Sequence, residues 1–337
     1  MRSELIHKIF SNQVNQQTNL VLDIYSYQYQ NNPVYKRFSD SIGRSPDRVK
    51  HPEDIPFLPI RFFKSMEIKT GLYEPEEWFE SSGTTGQINS RHFVREMAVY
   101  RESFTRCFQQ FYGPPGNWCI IGLLPSYLER QHSSLVVMVD ELIRMSGHPD
   151  SGFYLYDHDR LAETLERLQK KGQKILLFGV TFALLDFAES HPMPLNNTVI
   201  METGGMKGRR QEITRAALHD QLAANFPGAS IHSEYGMTEL LSQAYCGDDG
   251  KFYCPDWMKI LLREEDDPLQ ILSAPDSSNR SKQLIINGVI NVIDLANLDS
   301  CCFIATDDMG KLYSDGGFEV LGRVDNSDIR GCSLLTI

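Results

Sequence analysis

Three short segments place hydroxyls, glycines and carboxylates where they could hold a phosphorylated ligand. The first is Glu80-Ser81-Ser82-Gly83-Thr84-Thr85-Gly86. Its hydroxyls and two glycines let backbone N–H and side-chain O–H groups converge on an anion. No Gly-Lys-Ser/Thr follows, so it is not a P-loop, and a plain solvated turn has the same composition. The second is Tyr235-Gly236-Met237-Thr238-Glu239, directly after a strand pattern. An aromatic ring can stack on a base, a hydroxyl can hold a phosphate oxygen and a carboxylate can hold Mg²⁺. The bland alternative is a strand-to-helix turn with Thr238 or Glu239 at the helix start. The third runs Thr306-Asp307-Asp308-Met309-Gly310, then Asp315-Gly316-Gly317, then Gly322-Arg323. Asp308 suits a ribose diol and Arg323 suits hydroxyls or phosphate, whereas Asp-Gly-Gly alone is a hairpin turn.

The elements that must position these residues alternate. Met97, Tyr100, Phe104, Phe108 and Phe111 predict one face of a helix ended by Gly113-Pro114, with Cys107 in its core face. Strands are expected at Trp118–Leu124, Phe153–Tyr156, Lys174–Phe178, Thr198–Met201 and Ser230–Tyr235. Between them come helices opened by Ser133 or Ser134 and ended at Gly147, one carrying Leu161, Leu165 and Leu168, one at Thr181–Ser190 and one at Arg210–Phe226. That alternation implies parallel strands with helical crossovers, an α/β architecture. After Trp257 the pattern becomes short strands and turns, so residues 1–255 read as an α/β body and 256–337 as a β-rich closing region. The first 60 or so residues show one helix around Leu20–Tyr29 and a proline-marked extended stretch, His51–Pro59.

Composition narrows the classes. A formal charge of -11 argues against a general nucleic-acid or anionic-membrane binder. The longest apolar run, Ile175–Leu185, is far short of the ~20 residues that span a bilayer, and MRSELIHKIF has no signal-peptide pattern. Seven scattered cysteines fit a reducing, cytoplasmic setting with free thiols. Cys246 and Cys254 flank a hairpin-like GDDGKFY without zinc spacing, and Cys301 and Cys302 are expected on opposite faces of a strand.

Taken together, SSGTTG, Gly204-Gly205, YGMTE, T-x-D and GR-x-D in this order resemble the adenylate-forming superfamily of acyl- and aryl-CoA synthetases, over roughly Pro56 to Gly331. The resemblance implies that Ser82, Gly83, Thr84, Thr85 and Gly86 hold the ATP phosphates. It implies that Gly204 and Gly205 lie against adenine, and that Tyr235, Gly236, Met237 and Thr238 face the nucleotide. Glu239 would bind Mg²⁺, Asp308 and Arg323 would hold the ribose, and Asp325 would stand at the hinge. The departures are informative. No lysine follows the loop, where Gln87-Ile88-Asn89-Ser90-Arg91 stand, and Asp307 replaces the usual glycine. The superfamily continues past its hinge into a mobile domain bearing a catalytic lysine, whereas this sequence ends at Ile337, so the expectation is the large N-terminal body without that domain.

The ending RGCSLLTI, together with IPFLPIRFFK and METGGMKGRR, looks like the LuxE-type acyl-protein synthetases. In that family a cysteine near the C-terminus accepts the acyl group, which singles out Cys332. Arg330 two residues away favours its thiolate, and a chain end gives it reach. The expected activity is ATP- and Mg²⁺-dependent activation of a carboxylic acid, with a fatty acid as the expected substrate, to an acyl-adenylate. The acyl group would pass to Cys332 and on to a partner protein such as an acyl reductase. Direct transfer to coenzyme A or a carrier protein, and an inactive nucleotide-binding scaffold, are the alternatives. Arg130 and His132 after a strand, and the basic group Lys207, Arg209 and Arg210, are secondary candidates beside capping and solvated-surface roles.

Overall fold

The computed structural model describes residues 1–11, 17–81, 88–125, 131–204, 213–272 and 285–324. They form two compact units. One comprises Met1–Phe104, Met237–Gln243 and Tyr253–Val320; the other comprises Thr105–Gly236, Ala244–Phe252 and the described residues from Leu321 onward.

The second unit is built on the expected parallel sheet. Strands Gly152–Phe153, Cys119–Leu123, Ile175–Gly179, Thr198–Glu202 and Ser230–Tyr235 lie side by side in that order, all parallel. Ala244–Cys246 joins the last of them antiparallel. Every residue of Cys119–Leu123 and Ile175–Gly179 is buried, as continuous apolar runs in a covered sheet require. The crossover helices are Ser134–Ser146, His158–Lys170, Thr181–Ser190 and Arg215–Asn225. Their ends follow from local chemistry. Gly147 takes the left-handed conformation at φ 60° to end the first, and Asp157 accepts a hydrogen bond from the Arg160 N–H to start the second. The last helix begins at Arg215 rather than Arg210, because Thr214 caps it by accepting from the Ala217 N–H at 3.2 Å.

In the first unit, Ile271–Leu272, Met258–Arg263, Ile285–Asp294 and Phe303–Tyr313 form an antiparallel series. Leu58–Pro59 pairs parallel with Phe303–Tyr313, which reverses through Asp315-Gly316-Gly317 toward Phe318–Arg323. Glu77–Glu80 and Arg91–Val94 make a separate two-stranded ribbon. The described residues of the N-terminal part include the helices Arg2–Phe10, Gln17–Asn31 and Pro33–Ser41, of which the apolar pattern showed only the second. Gln28, in the second helix, and Asn32, which caps the third, are polar yet buried. Their amides donate to the carbonyls of Asn297, Leu298 and Ser300, so this face is cohesive without being apolar. Cys301 and Cys302 precede the Phe303–Tyr313 strand rather than alternating within it, and both are buried. Cys107 and Cys119 are buried as expected.

Gly179 ends the central strand where helix Thr181–Ser190 turns back over it. A Cβ there would stand 2.5 Å from Leu184 Cγ. Gly179→Ala is therefore expected to cost about 1–3 kcal/mol of unfolding free energy by urea denaturation. An unchanged midpoint would show that Leu184 can move aside.

Candidate nucleotide-handling site

The carboxyl edge of a parallel sheet is where ligands of such folds bind, and two of the singled-out segments start there. In the second unit, Thr198–Glu202 leads to Gly204, and Ser230–Tyr235 leads to Gly236. Glu202 Oε2 accepts from the Gly204 N–H at 2.9 Å, closing a turn in which Gly204 has φ 75°. That left-handed conformation favours glycine. His219 Nε2 lies 3.0 Å from Ser233 Oγ and 3.9 Å from Glu202 Oε1. Burial opposes the charge on Glu202, but the hydrogen bonds of His219, Ser233 and the Gly204 N–H prevail and hold it below the usual carboxylate range. Glu202 pairs across the strands with Ser233, so alternation puts the next residue, Glu234, on the other face. Burial, and then the Glu202 charge, push the Glu234 carboxyl up to about 8. Tyr235, expected beside a base, is buried with its ring centroid 5.9 Å from that of Phe252.

The first unit carries the rest of the YGMTE segment. Residues 237–243 form no helix, so the helix-start alternative is not what the sequence adopts. Apart from a Leu240 N–H to Met237 carbonyl turn, side chains from elsewhere bond to four of its backbone groups. His92 Nδ1 stands 2.9 Å from the Thr238 carbonyl oxygen, and Asn297 Nδ2 donates to the Glu239 carbonyl at 2.9 Å. Asp294 Oδ2 accepts from the N–H groups of Leu241 and Ser242 at 2.8 and 3.0 Å. Its Oδ1 accepts from Ser242 Oγ at 2.6 Å. Trp257 Nε1 donates to Ser103 Oγ and Ser242 Oγ, each at 3.0 Å. Burial pushes Asp294 up to about 6 against these hydrogen bonds. Burial pushes His92 down to about 4, although the Thr238 carbonyl and the Glu239 charge favour its cation. Sequence reasoning missed His92, Asp294 and Asn297. The available signal was a polar residue inside an apolar run, as Asp294 is in VINVIDLA.

The T-x-D segment is a β-bulge, which the sequence did not reveal. Val289 pairs with Met309 and Asn291 with Ala305, so Ile290 alone faces Thr306, Asp307 and Asp308. The Ile290 carbonyl accepts from Thr306 Oγ1 at 2.8 Å and from Arg263 Nη1 at 3.0 Å. Arg263 Nη2 donates to the Thr306 carbonyl at 2.6 Å, and burial lowers this guanidinium to about 10. Bulges re-aim side chains beside active sites. Here Asp308 is buried while Asp307 reaches Arg61 at 3.7 Å. Arg323 ends its strand half-buried.

Of the expected site residues, Met237, Thr238, Glu239 and Asp308 belong to the first unit, and Gly204, Tyr235, Gly236 and Arg323 to the second. Ser82, Gly83, Thr84, Thr85, Gly86, Gly205 and Cys332 lie outside the described residues, as do Arg130, Lys207, Arg209, Arg210 and Asp325. No group of three or more His, Cys, Asp and Glu suited to a metal ion occurs among the described residues. Glu239, with a buried side chain, is a single hard oxygen donor. That donor set fits magnesium, which typically binds one or two carboxylates together with the phosphates of a nucleotide.

Residues 7–336 match the model of the LuxE acyl-protein synthetases. The chain belongs to this family. It is thus an acid-activating ligase by family, and the singled-out motifs fall within the match. A long-chain-fatty-acid–luciferin-component ligase of Vibrio harveyi is 24% identical over 342 residues, covering 94% of this chain and 85% of that one. Among solved structures, an open conformation of 2-hydroxyisobutyryl-CoA ligase, in complex with 2-HIB-AMP and CoA, superposes with a TM-score of 0.64 at 14% identity. The superposition covers 94% of this chain and 77% of that chain. The fold is therefore the α/β adenylate-forming body anticipated from the motif order. No helix of the described residues is long and apolar enough to cross a membrane.

Because the Glu234 pKa is raised, its protonated form favours the fold. The stability it contributes is fully present below about 4.5 and is lost as pH rises through about 8. The slope reaches up to ~1.4 kcal/mol per pH unit. Glu234→Gln cannot ionise, so urea unfolding followed from about pH 5 to about pH 9 should show a flatter profile for the variant. Parallel profiles would place the titration elsewhere.

Proposed function

We propose that this LuxE-family ligase activates a fatty acid with ATP and Mg²⁺, takes the acyl group onto Cys332 and passes it to a thiol of a second protein. The observation that carries the reading is the span of the family match, residues 7–336, which takes in Cys332 along with all the nucleotide motifs. The fatty substrate is supported by the name of the Vibrio harveyi relative.

In the first step a carboxylate oxygen attacks the α-phosphorus, the bond to the β-phosphate bridging oxygen breaks, and pyrophosphate leaves. Magnesium, when bound with the nucleotide, offsets charge on the phosphates. Glu239 is the residue that would hold it. Ser82, Gly83, Thr84, Thr85 and Gly86 would cradle the phosphates, with Thr238 contributing a hydroxyl. Asp308, re-aimed by the bulge, and Arg323 would hold the ribose, while Gly204, Gly205, Tyr235, Gly236 and Met237 would border the base. In the second step the Cys332 thiolate attacks the acyl carbonyl, the carbon–oxygen bond to AMP breaks, and a thioester forms. A partner thiolate then displaces Cys332 by the same exchange, with an acyl reductase as the natural class of acceptor.

Cys332→Ser should keep fatty-acid-dependent ATP–pyrophosphate exchange and lose the mass increment of one acyl group seen on the wild-type chain after incubation with ATP and fatty acid. Acylation that persists on the variant, or maps to another cysteine, would remove Cys332 from the mechanism.

A further inference from the structure

The Thr238–Glu239 turn and the strand Arg91–Val94 are far apart in the sequence, yet a single buried side chain ties them. His92 lies on that strand, paired with Phe79 in the ribbon whose two strands bracket residues 81–90. Its Nδ1 is 2.9 Å from the Thr238 carbonyl oxygen. A carbonyl can only accept, so Nδ1 carries the hydrogen and Nε2 is left as an acceptor. That Nε2 is buried with no hydrogen-bond partner among the described residues. The ring also packs edge-on to Phe63, with centroids 5.9 Å apart.

Two roles are open to such a residue, and the chemistry separates them. As packing alone, a histidine is a poor choice here. An apolar side chain would pack against Phe63 without burying a nitrogen that has no partner among the described residues, which costs about 1–3 kcal/mol. The gain that offsets this cost is the Nδ1–H bond. The Thr238 carbonyl immediately precedes the Glu239 N–H, and Asn297 holds the next carbonyl in line, that of Glu239. Fixing both carbonyls orients the Thr238 hydroxyl and the Glu239 carboxylate relative to the strand that follows Ser82–Gly86.

We infer that His92 is a positioning residue for nucleotide handling, whose imidazole locks the Thr238–Glu239 turn onto the Arg91–Val94 strand. The inference rests on the functional reading above for its consequence, but the anchor can be tested without it.

Three variants distinguish the roles. His92→Phe keeps an aromatic ring, somewhat larger, and removes the hydrogen bond. His92→Asn restores a donor at the position of Nδ1, and His92→Gln places its polar group at the position of Nε2. The first readout is amide hydrogen exchange of residues 237–243 in the ligand-free chain, where the Leu240, Leu241 and Ser242 N–H groups report the turn. The second is the Mg²⁺–ATP concentration for half-maximal pyrophosphate exchange. His92→Phe should speed amide exchange and raise the half-saturating concentration, each by about 10-fold, with little change in the maximal rate. His92→Asn should return both to within about 3-fold of wild type, and His92→Gln should not. Unchanged values in His92→Phe, or rescue by Gln rather than Asn, would overturn the positioning role. If His92→Phe fails to fold, the Asn and Gln pair decides the matter on its own. A wild-type chain without ATP–pyrophosphate exchange would sink the proposed function, and the amide-exchange arm would still decide the anchor.

Discussion

Asp294 is a carboxylate without exposed surface, and the turn that carries Thr238 and Glu239 depends on it. Burying such a group is costly unless its oxygens are satisfied. Here two backbone N–H groups and the Ser242 hydroxyl do so, and the Ala296 N–H adds a fourth donor at 3.2 Å. The exchange serves both sides. An irregular buried segment must find partners for its backbone outside itself, and a buried carboxylate needs donors in fixed places. Asn297 and His92 complete the cage from two other directions. The result is a stretch with neither helix nor strand that is still held at several points, as the role proposed for Thr238 and Glu239 would require.

The parallel-sheet unit solves a related problem differently. Glu202 and Glu234 sit near each other at the ends of adjacent strands, both buried, yet their environments send them opposite ways. Glu202 has His219, Ser233 and the Gly204 N–H, so it keeps its charge. Glu234 faces desolvation and its neighbour's charge, so it keeps its proton near neutrality. One carboxylate then serves as acceptor for the Gly204 turn, and the other adds no second charge to the same edge. The bulge at Thr306–Asp308 follows a similar logic. Arg263 is buried and partly starved of solvent, and it bonds to the two carbonyls that the irregular pairing leaves available.

Much of this was legible in the residues. Apolar runs of strand length and a period of three to four located the parallel strands and their crossovers, with Ser230–Tyr235 and Thr181–Ser190 matched end to end. These elements are defined by their own side chains: an apolar run, a capping hydroxyl or a terminal glycine lies within a few residues of each boundary. The order of the glycine, hydroxyl and carboxylate motifs pointed to the superfamily, and IPFLPIRFFK, METGGMKGRR and RGCSLLTI pointed to the family that the match over residues 7–336 shows.

What escaped was polar and non-local. Gln28 donates to carbonyls 269 to 272 residues away, and His92 meets Thr238 across 146 residues. Hydropathy treats such residues as surface, since only the partner makes their burial affordable. The bulge was hidden for a similar reason, because register belongs to a pair of strands and not to either alone. The sequence by itself therefore determined the α/β class, the motif residues and the family. Tertiary structure alone decided which buried polar side chains hold those motifs still, because a hydrogen bond between distant residues leaves no periodic trace in either segment.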